Sequence, residues 1–217
     1  MVLSSLIPDH DSIRNIIFDF GGVICDIDIG RTEEKFRSFG PAKEEKPDSK
    51  EHRSLRFEKL VAAFETGKLS PQEFREIIKN HYRKILSDEE IDDAWNALLL
   101  NIPEERIRLL ESVRKNYRIF LLSNTNKIHY HQYLKDLQGF GYPDFDHLFE
   151  KAYFSFRVGL RKPEPEVFRH VLAESGLVPG ETLFIDDTLQ HVETARITGI
   201  HSYHLKPGEK LPSLFTR

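Results

Sequence analysis

The chain has 217 residues, of which 39% are hydrophobic and 30% are charged, and its formal net charge at pH 7 is −4. This composition is typical of a globular protein and excludes a disordered chain, and the length suits one ordinary domain with a smaller addition. The slight negative charge argues against a general attraction to nucleic acid or to an anionic membrane. We therefore expect the partner to be a small molecule.

Three features of the sequence bear on its cellular setting. Cys25 is the single cysteine, so an intramolecular disulfide is impossible. No stretch approaches the roughly 20 consecutive apolar residues that span a bilayer. Residues 1–8 lack the basic start and the long apolar region of a signal peptide. We expect a reduced, cytoplasmic protein with no membrane or nucleic-acid partner, and the sequence does not distinguish a monomer from a homodimer.

Short apolar runs along the chain predict the strands of a buried sheet. Between the later runs lie helical patterns, such as residues 165–176, where Gly176 is a stop signal. Strands that alternate with helices are typical of a parallel sheet with right-handed crossovers, so we predict an α/β fold with a Rossmann-like parallel-sheet core. The predicted strands are residues 13–18, 118–122, 151–154, 182–185 and, with a weaker pattern, 201–205.

The interval between the first two predicted strands is far longer than the roughly 10–12 residues that a crossover needs. It begins with the charged segment 40–50, which we interpret as a solvated loop, and continues with amphipathic helical patterns. Ser70 and Ser87 each open a capping-box sequence, which marks the start of a helix. We therefore predict a helical cap domain inserted into the α/β core. The predicted domains are the cap at residues 30–105 and the core at residues 1–29 and 106–217.

Polar side chains follow the predicted strands at the points where the strands end. Asp19 follows the first strand and Ser123 the second, and Asp186 and Asp187 follow the fourth. Lys162 comes shortly after the third. Because ligands of an open parallel sheet bind outside the carboxyl ends of its strands, we expect these residues to form one site.

This set of residues suits phosphoryl transfer. The Asp19 carboxylate can act as a nucleophile and form an acyl phosphate. Asp19, Asp186 and Asp187 offer the oxygen ligands that Mg²⁺ prefers, and Lys162 adds a fixed positive charge. Further groups would hold the phosphate oxygens. These groups are the Ser123 hydroxyl and the backbone N–H groups near Gly21, Gly22 and Asn124. We expect Arg161, beside Lys162, to be exposed to solvent.

The four segments, in this order, resemble the motifs of the haloacid dehalogenase superfamily of hydrolases with a helical cap inserted after the first motif. The resemblance covers nearly the whole chain from Ile13 onward. It implies that Asp19 is the nucleophile, Ser123 the phosphate-binding hydroxyl and Lys162 the motif lysine. The segments are residues 16–24, 121–124, 161–163 and 184–187.

The same resemblance implies a metal site and a substrate class. Asp186 and Asp187 match the metal-binding acidic pair, with Asp187 as the direct ligand, and the backbone carbonyl of Gly21 matches a further Mg²⁺ ligand. Residues 19–28 look like the branch that contains bacterial α-D-glucose-1-phosphate phosphatase. A small phosphorylated metabolite such as a sugar phosphate is therefore the expected substrate.

The pattern departs from most phosphatases of that superfamily at Gly21, where they carry an aspartate that protonates the leaving group. General acid–base help is typically worth about 10²–10⁴-fold in rate. Its absence leaves three interpretations: a good leaving group, a substitute acid, or binding with little turnover. Asp26 and Asp28 are candidate substitutes, although turn and helix-capping roles suit them better. His191 is either a partner of the aspartates or a helix-surface residue.

Two other functions are compatible with parts of the pattern. A 2-haloacid dehalogenase would use an aspartate to attack carbon, but it needs no Mg²⁺ and would leave the acidic pair unexplained. A phosphate-ligand binding module would keep the fold and the metal with weak or no turnover. Cys25 is a poor candidate nucleophile, because no activating base is identifiable and a lone cysteine is usually a small buried hydrophobe.

Overall fold

The computed structural model describes residues 1–7, 9–41 and 50–216, with the backbone alone for residues 50–54. Residues 42–49, most of the predicted solvated loop, lie outside this part of the chain. None of the described helices is long and apolar enough to cross a membrane. The described strands are β1 (Val2–Leu3), β2 (Asn15–Phe18), β3 (Arg118–Ser123), β4 (Lys151–Phe154), β5 (Thr182–Asp186), β6 (His201–His204) and β7 (Phe215–Thr216). The described α-helices are α1 (Ile29–Ser38), α2 (Lys50–Glu65), α3 (Pro71–His81), α4 (Asp88–Asn96), α5 (Glu104–Val113), α6 (Lys127–Gly139), α7 (Ser155–Val158), α8 (Pro165–Ser175) and α9 (Leu189–Ile197).

Five strands form a sheet in the order β4-β3-β2-β5-β6, and every neighbouring pair is parallel. The predicted parallel α/β core is therefore confirmed, including its fifth strand. β3 and β5 each run one residue further than predicted, to Ser123 and Asp186. The antiparallel pair β1 and β7 was not predicted, because two-residue strands are too short to show a periodic pattern.

The central strand β2 sets the position of the site. All of its residues are buried, as expected for a strand that is flanked on both sides in a parallel sheet. Phe18 is paired with Leu121 of β3 and with Ile185 of β5. Asp19 and Asp186, the next residues of their chain segments, therefore emerge at the same level on the carboxyl edge of the sheet.

The two faces of the sheet pack against separate apolar clusters. Ile16 and Phe18 belong to one cluster and Ile17 to the other, as the alternation of side chains along a strand requires. The second cluster includes Val167 and Phe168 of α8. α8 matches the helix predicted at residues 165–176, with Gly176 in the left-handed conformation at its end.

The four helices between Asp28 and Pro103, called here the inserted helices α1–α4, share a third apolar cluster. Ser70 and Ser87 form the two predicted capping boxes. Ile128 of α6 also belongs to this cluster, so the cluster continues onto a helix that flanks the sheet. The division of the chain into a core domain and a cap domain stays a prediction.

Candidate active site

Lys162 joins the two sheet-edge aspartates. Its Nζ lies 2.7 Å from Asp19 Oδ1 and 2.7 Å from Asp186 Oδ2. Lys162 and Asp186 are fully buried, and Asp19 is 7% exposed. The residues predicted from three separate strand ends therefore meet at one buried point, where an ammonium group lies between two carboxylates.

The electrostatics of this cluster are uneven. Burial and the neighbouring charge of Asp186 raise the pKa of Asp19 well above its usual value, against the opposing effect of Lys162. Burial alone would lower the pKa of Lys162, but the charges of Asp186 and Asp19 outweigh it and the pKa is raised. Lys162 is therefore a permanent cation, and one ammonium group does not fully compensate the carboxylates around it.

Asp186 is the most strongly held of the carboxylates. Its Oδ1 accepts a hydrogen bond from the backbone N–H of Thr188 at 2.7 Å, where α9 begins. His191 Nδ1 lies 3.1 Å from each of its oxygens. Burial opposes ionisation of Asp186, but Lys162 and His191 more than offset it and the pKa lies well below its usual value. His191 is thus a partner of the aspartates and not merely a residue of the helix surface.

The two glycines after Asp19 have different structural roles. Gly22 has a φ of 76°, and a Cβ placed on it would lie 2.0 Å from Asp187 Oδ2. Its backbone N–H donates to the carbonyl of Cys25 at 2.8 Å, which counts against the predicted phosphate contact of Gly22. A Cβ on Gly21 would lie 3.5 Å from the Ile27 side chain, an ordinary contact. The backbone therefore requires glycine at Gly22 but does not explain the missing acid at Gly21.

The charge of the cluster suits a bound cation. Asp19, Asp186 and Asp187 surround the Lys162 ammonium, and burial together with the charge of Asp186 raises the pKa of Asp187 as well. Ligand atoms of Asp19, Asp186 and His191 lie within 4.8 Å of one another. That group contains His191 in place of the predicted Asp187 and Gly21. Carboxylate oxygens in excess over positive charge are the donors that Mg²⁺ takes, so the residues fit this ion.

The predicted phosphate-binding residues lie on the same edge. Ser123 is 2% exposed at the end of β3, and its hydroxyl makes no hydrogen bond with another described residue. The Asn124 side chain donates to the Lys162 carbonyl at 2.8 Å and accepts from the Lys162 N–H at 2.9 Å. The Asn124 side chain therefore holds the backbone of Lys162, and its predicted phosphate contact falls to its backbone N–H.

Arg161 corrects the expectation of a solvent-exposed side chain. Only 28% of its side chain is exposed, and its Nη2 lies 3.0 Å from Oε2 of Glu65, the last residue of α2. The sequence pointed to neither member as part of the site, because nothing local predicts a contact between such distant segments. The inserted helices thus reach the segment that carries Lys162.

The residues considered as substitutes for the missing acid have structural partners. Asp26 Oδ1 lies 2.8 Å from Arg106 Nη2, and Asp28 caps α1 by accepting from the Gly30 N–H at 3.0 Å. Cys25 is buried, and burial raises the pKa of its thiol to about 12. These roles match the turn, capping and core interpretations.

Comparisons with known proteins agree with this geometry. The family model of haloacid dehalogenase-like hydrolases matches residues 13–199. The D-ribitol-5-phosphate phosphatase of Bacteroides thetaiotaomicron is 32% identical over 197 residues, which cover 90% of this chain and 93% of that protein.

Solved structures show the same similarity in three dimensions. A crystal structure of a HAD-family enzyme from Bacteroides thetaiotaomicron, in complex with magnesium and inorganic phosphate, has a TM-score of 0.81 and 35% identity, and the match covers 94% of this chain and 100% of that one. A HAD-like family hydrolase of Porphyromonas gingivalis has a TM-score of 0.77 and 32% identity, with 91% and 93% covered. Because the family model spans most of the chain and the matches extend over nearly all of it, this protein belongs to the haloacid dehalogenase-like hydrolases.

Proposed function

We propose that this hydrolase is a Mg²⁺-dependent phosphatase of a small phosphorylated metabolite, a sugar or polyol phosphate, and that it works through an aspartyl-phosphate on Asp19. The observation that carries the proposal is the buried Lys162 ammonium, 2.7 Å from both Asp19 and Asp186. The relative that acts on D-ribitol 5-phosphate and the similar structure with magnesium and phosphate support the substrate class and the metal.

The contacts of Asp19 suggest which oxygen reacts. The Phe20 N–H donates to Oδ1 at 2.6 Å, and Lys162 Nζ contacts the same oxygen at 2.7 Å. Both contacts fall on Oδ1, so Oδ2 is the atom available to attack phosphorus. Lys162 and the Ser123 hydroxyl would then stabilise the negative charge on the oxygens of the transferring phosphoryl group.

The metal would be held on the carboxylate side of the cluster. Asp19, Asp187 and the Gly21 carbonyl are the proposed ligands, with Asp186 beside them. Bound Mg²⁺ neutralises phosphate charge and so removes the repulsion between the phosphate and the Asp19 carboxylate. Gly22 keeps space for the Asp187 carboxylate, because a side chain at Gly22 would occupy the position of Asp187 Oδ2.

The inserted helices are proposed to act as a cap over this site, with the domain boundaries at residues 30–105. Besides the contact between Glu65 and Arg161, His129 Nε2 of α6 lies 3.0 Å from the Trp95 carbonyl of α4. Closure of such a cap would exclude water until the phosphoenzyme has formed.

Turnover of a panel of phosphate esters, with Mg²⁺ and with a chelator, tests the proposal. The wild type should release inorganic phosphate only with the metal, and Asp19→Asn should lower kcat by about 10³-fold or more because the nucleophile is lost. Asp26→Asn, which changes a nearby carboxylate paired with Arg106, is the matched control. An inactive wild type, or an Asp19→Asn variant that keeps its rate, would show that the proposal is wrong, and halide release from a 2-haloacid with a chelator present would favour the dehalogenase.

A further inference from the structure

Glu65 and Arg161 form an ion pair between the inserted helices and the sheet edge. Glu65 Oε2 lies 3.0 Å from Arg161 Nη2, and the two side chains are 15% and 28% exposed, respectively. Arg161 directly precedes Lys162, whose ammonium contacts the proposed nucleophile Asp19. The pair therefore lies next to the reaction centre along the chain and is shielded from bulk solvent.

The position of Glu65 follows from the way α2 ends. Gly67 has a φ of 71°, and a Cβ placed on it would lie 2.5 Å from the backbone carbonyl of Phe156 in α7. Since α7 follows β4 directly, this close approach seats the end of α2 on the carboxyl edge of the sheet. The Lys68 N–H donates to the Ala63 carbonyl at 2.9 Å and closes the helix. The backbone thus holds Glu65 against the edge that carries Asp19.

Helix stability does not explain the carboxylate at this place. Glu65 is the last residue of α2, and a negative charge at a helix C-terminus is electrostatically unfavourable. Burial raises its pKa, although the charges of Arg161 and Lys162 oppose that rise. The charges of both Glu65 and Asp19 act on buried Tyr133, so Glu65 lies within the electrostatic environment of the proposed nucleophile.

The ion pair leaves polar atoms without hydrogen bonds. Glu65 Oε2 and Arg161 Nε are buried, and neither makes a hydrogen bond with a described residue. Buried polar atoms in native proteins are almost always satisfied, by protein or by a bound molecule. One atom is an acceptor and the other a donor, and a hydroxyl group can satisfy either of them.

We propose that Glu65 and Arg161 bind hydroxyl groups of the leaving alcohol and so select polyol and sugar phosphates over phosphate esters without hydroxyls. This inference rests on the proposed function, because it assigns the specificity of the same site. The carboxylate accepts from a substrate O–H, and the guanidinium donates to a substrate oxygen. An ester without hydroxyls leaves both groups unpaired, which is the physical basis of strong discrimination.

The test compares kcat/KM for D-ribitol 5-phosphate and for phenyl phosphate, both with Mg²⁺. The main variant is the double substitution Glu65→Met with Arg161→Met, because replacing both members of a buried ion pair by apolar groups of similar size is often tolerated. The matched control replaces the exposed pair of Arg118 and Glu150 by methionines in the same way. Glu65→Gln, which keeps the size of the side chain, carries the same comparison should the double variant fail to fold.

We expect the Glu65 and Arg161 variants to lose about tenfold or more in kcat/KM for D-ribitol 5-phosphate while the value for phenyl phosphate stays within about twofold. The control pair should leave both values unchanged. Equal losses with both esters, or no loss with either, would overturn the inference and assign the pair a structural role. A wild type that hydrolyses neither ester, nor any other phosphate ester, would overturn the proposed function and the inference with it.

Discussion

The sheet edge and the inserted helices differ in what holds their polar groups in place. Asp19 and Asp186 follow strands whose register is set by a continuous ladder of backbone hydrogen bonds. Glu65 and the Trp95 carbonyl belong to helices that contact the rest of the protein through apolar packing and a few polar contacts. A backbone ladder resists displacement more strongly than such contacts do. We therefore expect the sheet edge to be the rigid part of the site and the inserted helices to be the adjustable part.

Removal of the Lys162 charge is the strongest challenge to a rigid sheet edge. Lys162→Met should lower the free energy of unfolding by about 3–5 kcal/mol, because it leaves the buried Asp19 and Asp186 carboxylates without their shared cation. Urea unfolding without Mg²⁺ measures the change. Lys151→Met, which removes an exposed ion pair with Glu174, should cost less than about 1 kcal/mol. Equal costs at Lys162 and Lys151 would contradict the special role of the buried cation.

The pH dependence of stability examines how the inserted helices are attached. His129 stacks on Trp95, accepts from the Asn126 side chain at Nδ1 and donates to the Trp95 carbonyl from Nε2, so it is neutral in the folded state. Burial lowers its pKa from 6.5 to about 4. The unfolded chain takes up this proton first as the pH falls. The contribution is therefore complete above about pH 6.5 and declines towards pH 4, by up to about 3 kcal/mol.

His129→Gln is the variant that isolates this effect. Glutamine can still donate to the Trp95 carbonyl, but it does not titrate. The difference in unfolding free energy between wild type and variant should shrink as the pH is lowered from 6.5 to 4. Stability curves that fall in parallel for the two proteins would rule out His129 as the source.

The smallest expected effect separates the two glycines of the sheet edge. Gly22→Ala should destabilise the protein by about 1–2 kcal/mol, because of the positive φ, and should displace the Asp187 carboxylate. Its Mg²⁺ affinity, measured by calorimetry, should fall as well. Gly21→Ala is the matched control and should change stability by less than about 1 kcal/mol. The opposite ranking would contradict the assignment of Gly22 as the position that requires glycine.

Much of the sheet edge was predictable because its signals are local. The apolar runs before Asp19, Ser123 and Asp186 mark buried strands, and parallel strands carry the residues that follow them to one edge. The capping boxes at Ser70 and Ser87 likewise depend on residues three positions apart. Local periodicity and strand order were therefore enough to bring the main residues together.

The side-chain partners within the site were harder to predict. Asn124 was expected at the phosphate but holds the Lys162 backbone with its side chain, and His191 had two open interpretations until its ring was placed against Asp186. Each of these contacts joins chain segments whose relative orientation depends on loops. Loop conformation carries no periodic signal, so the residue types alone did not specify the partner.

The sequence by itself determined the parallel α/β core, the strand-end positions of Asp19, Ser123 and Asp186, and the helical character of the long interval after the first strand. Tertiary structure alone decided that Glu65 faces Arg161 and that Gly22, not Gly21, is the glycine on which the Asp187 carboxylate depends for space. The physical reason is the range of the interactions. Strands and helix caps are specified within a few residues, whereas these contacts arise only after distant elements pack against one another.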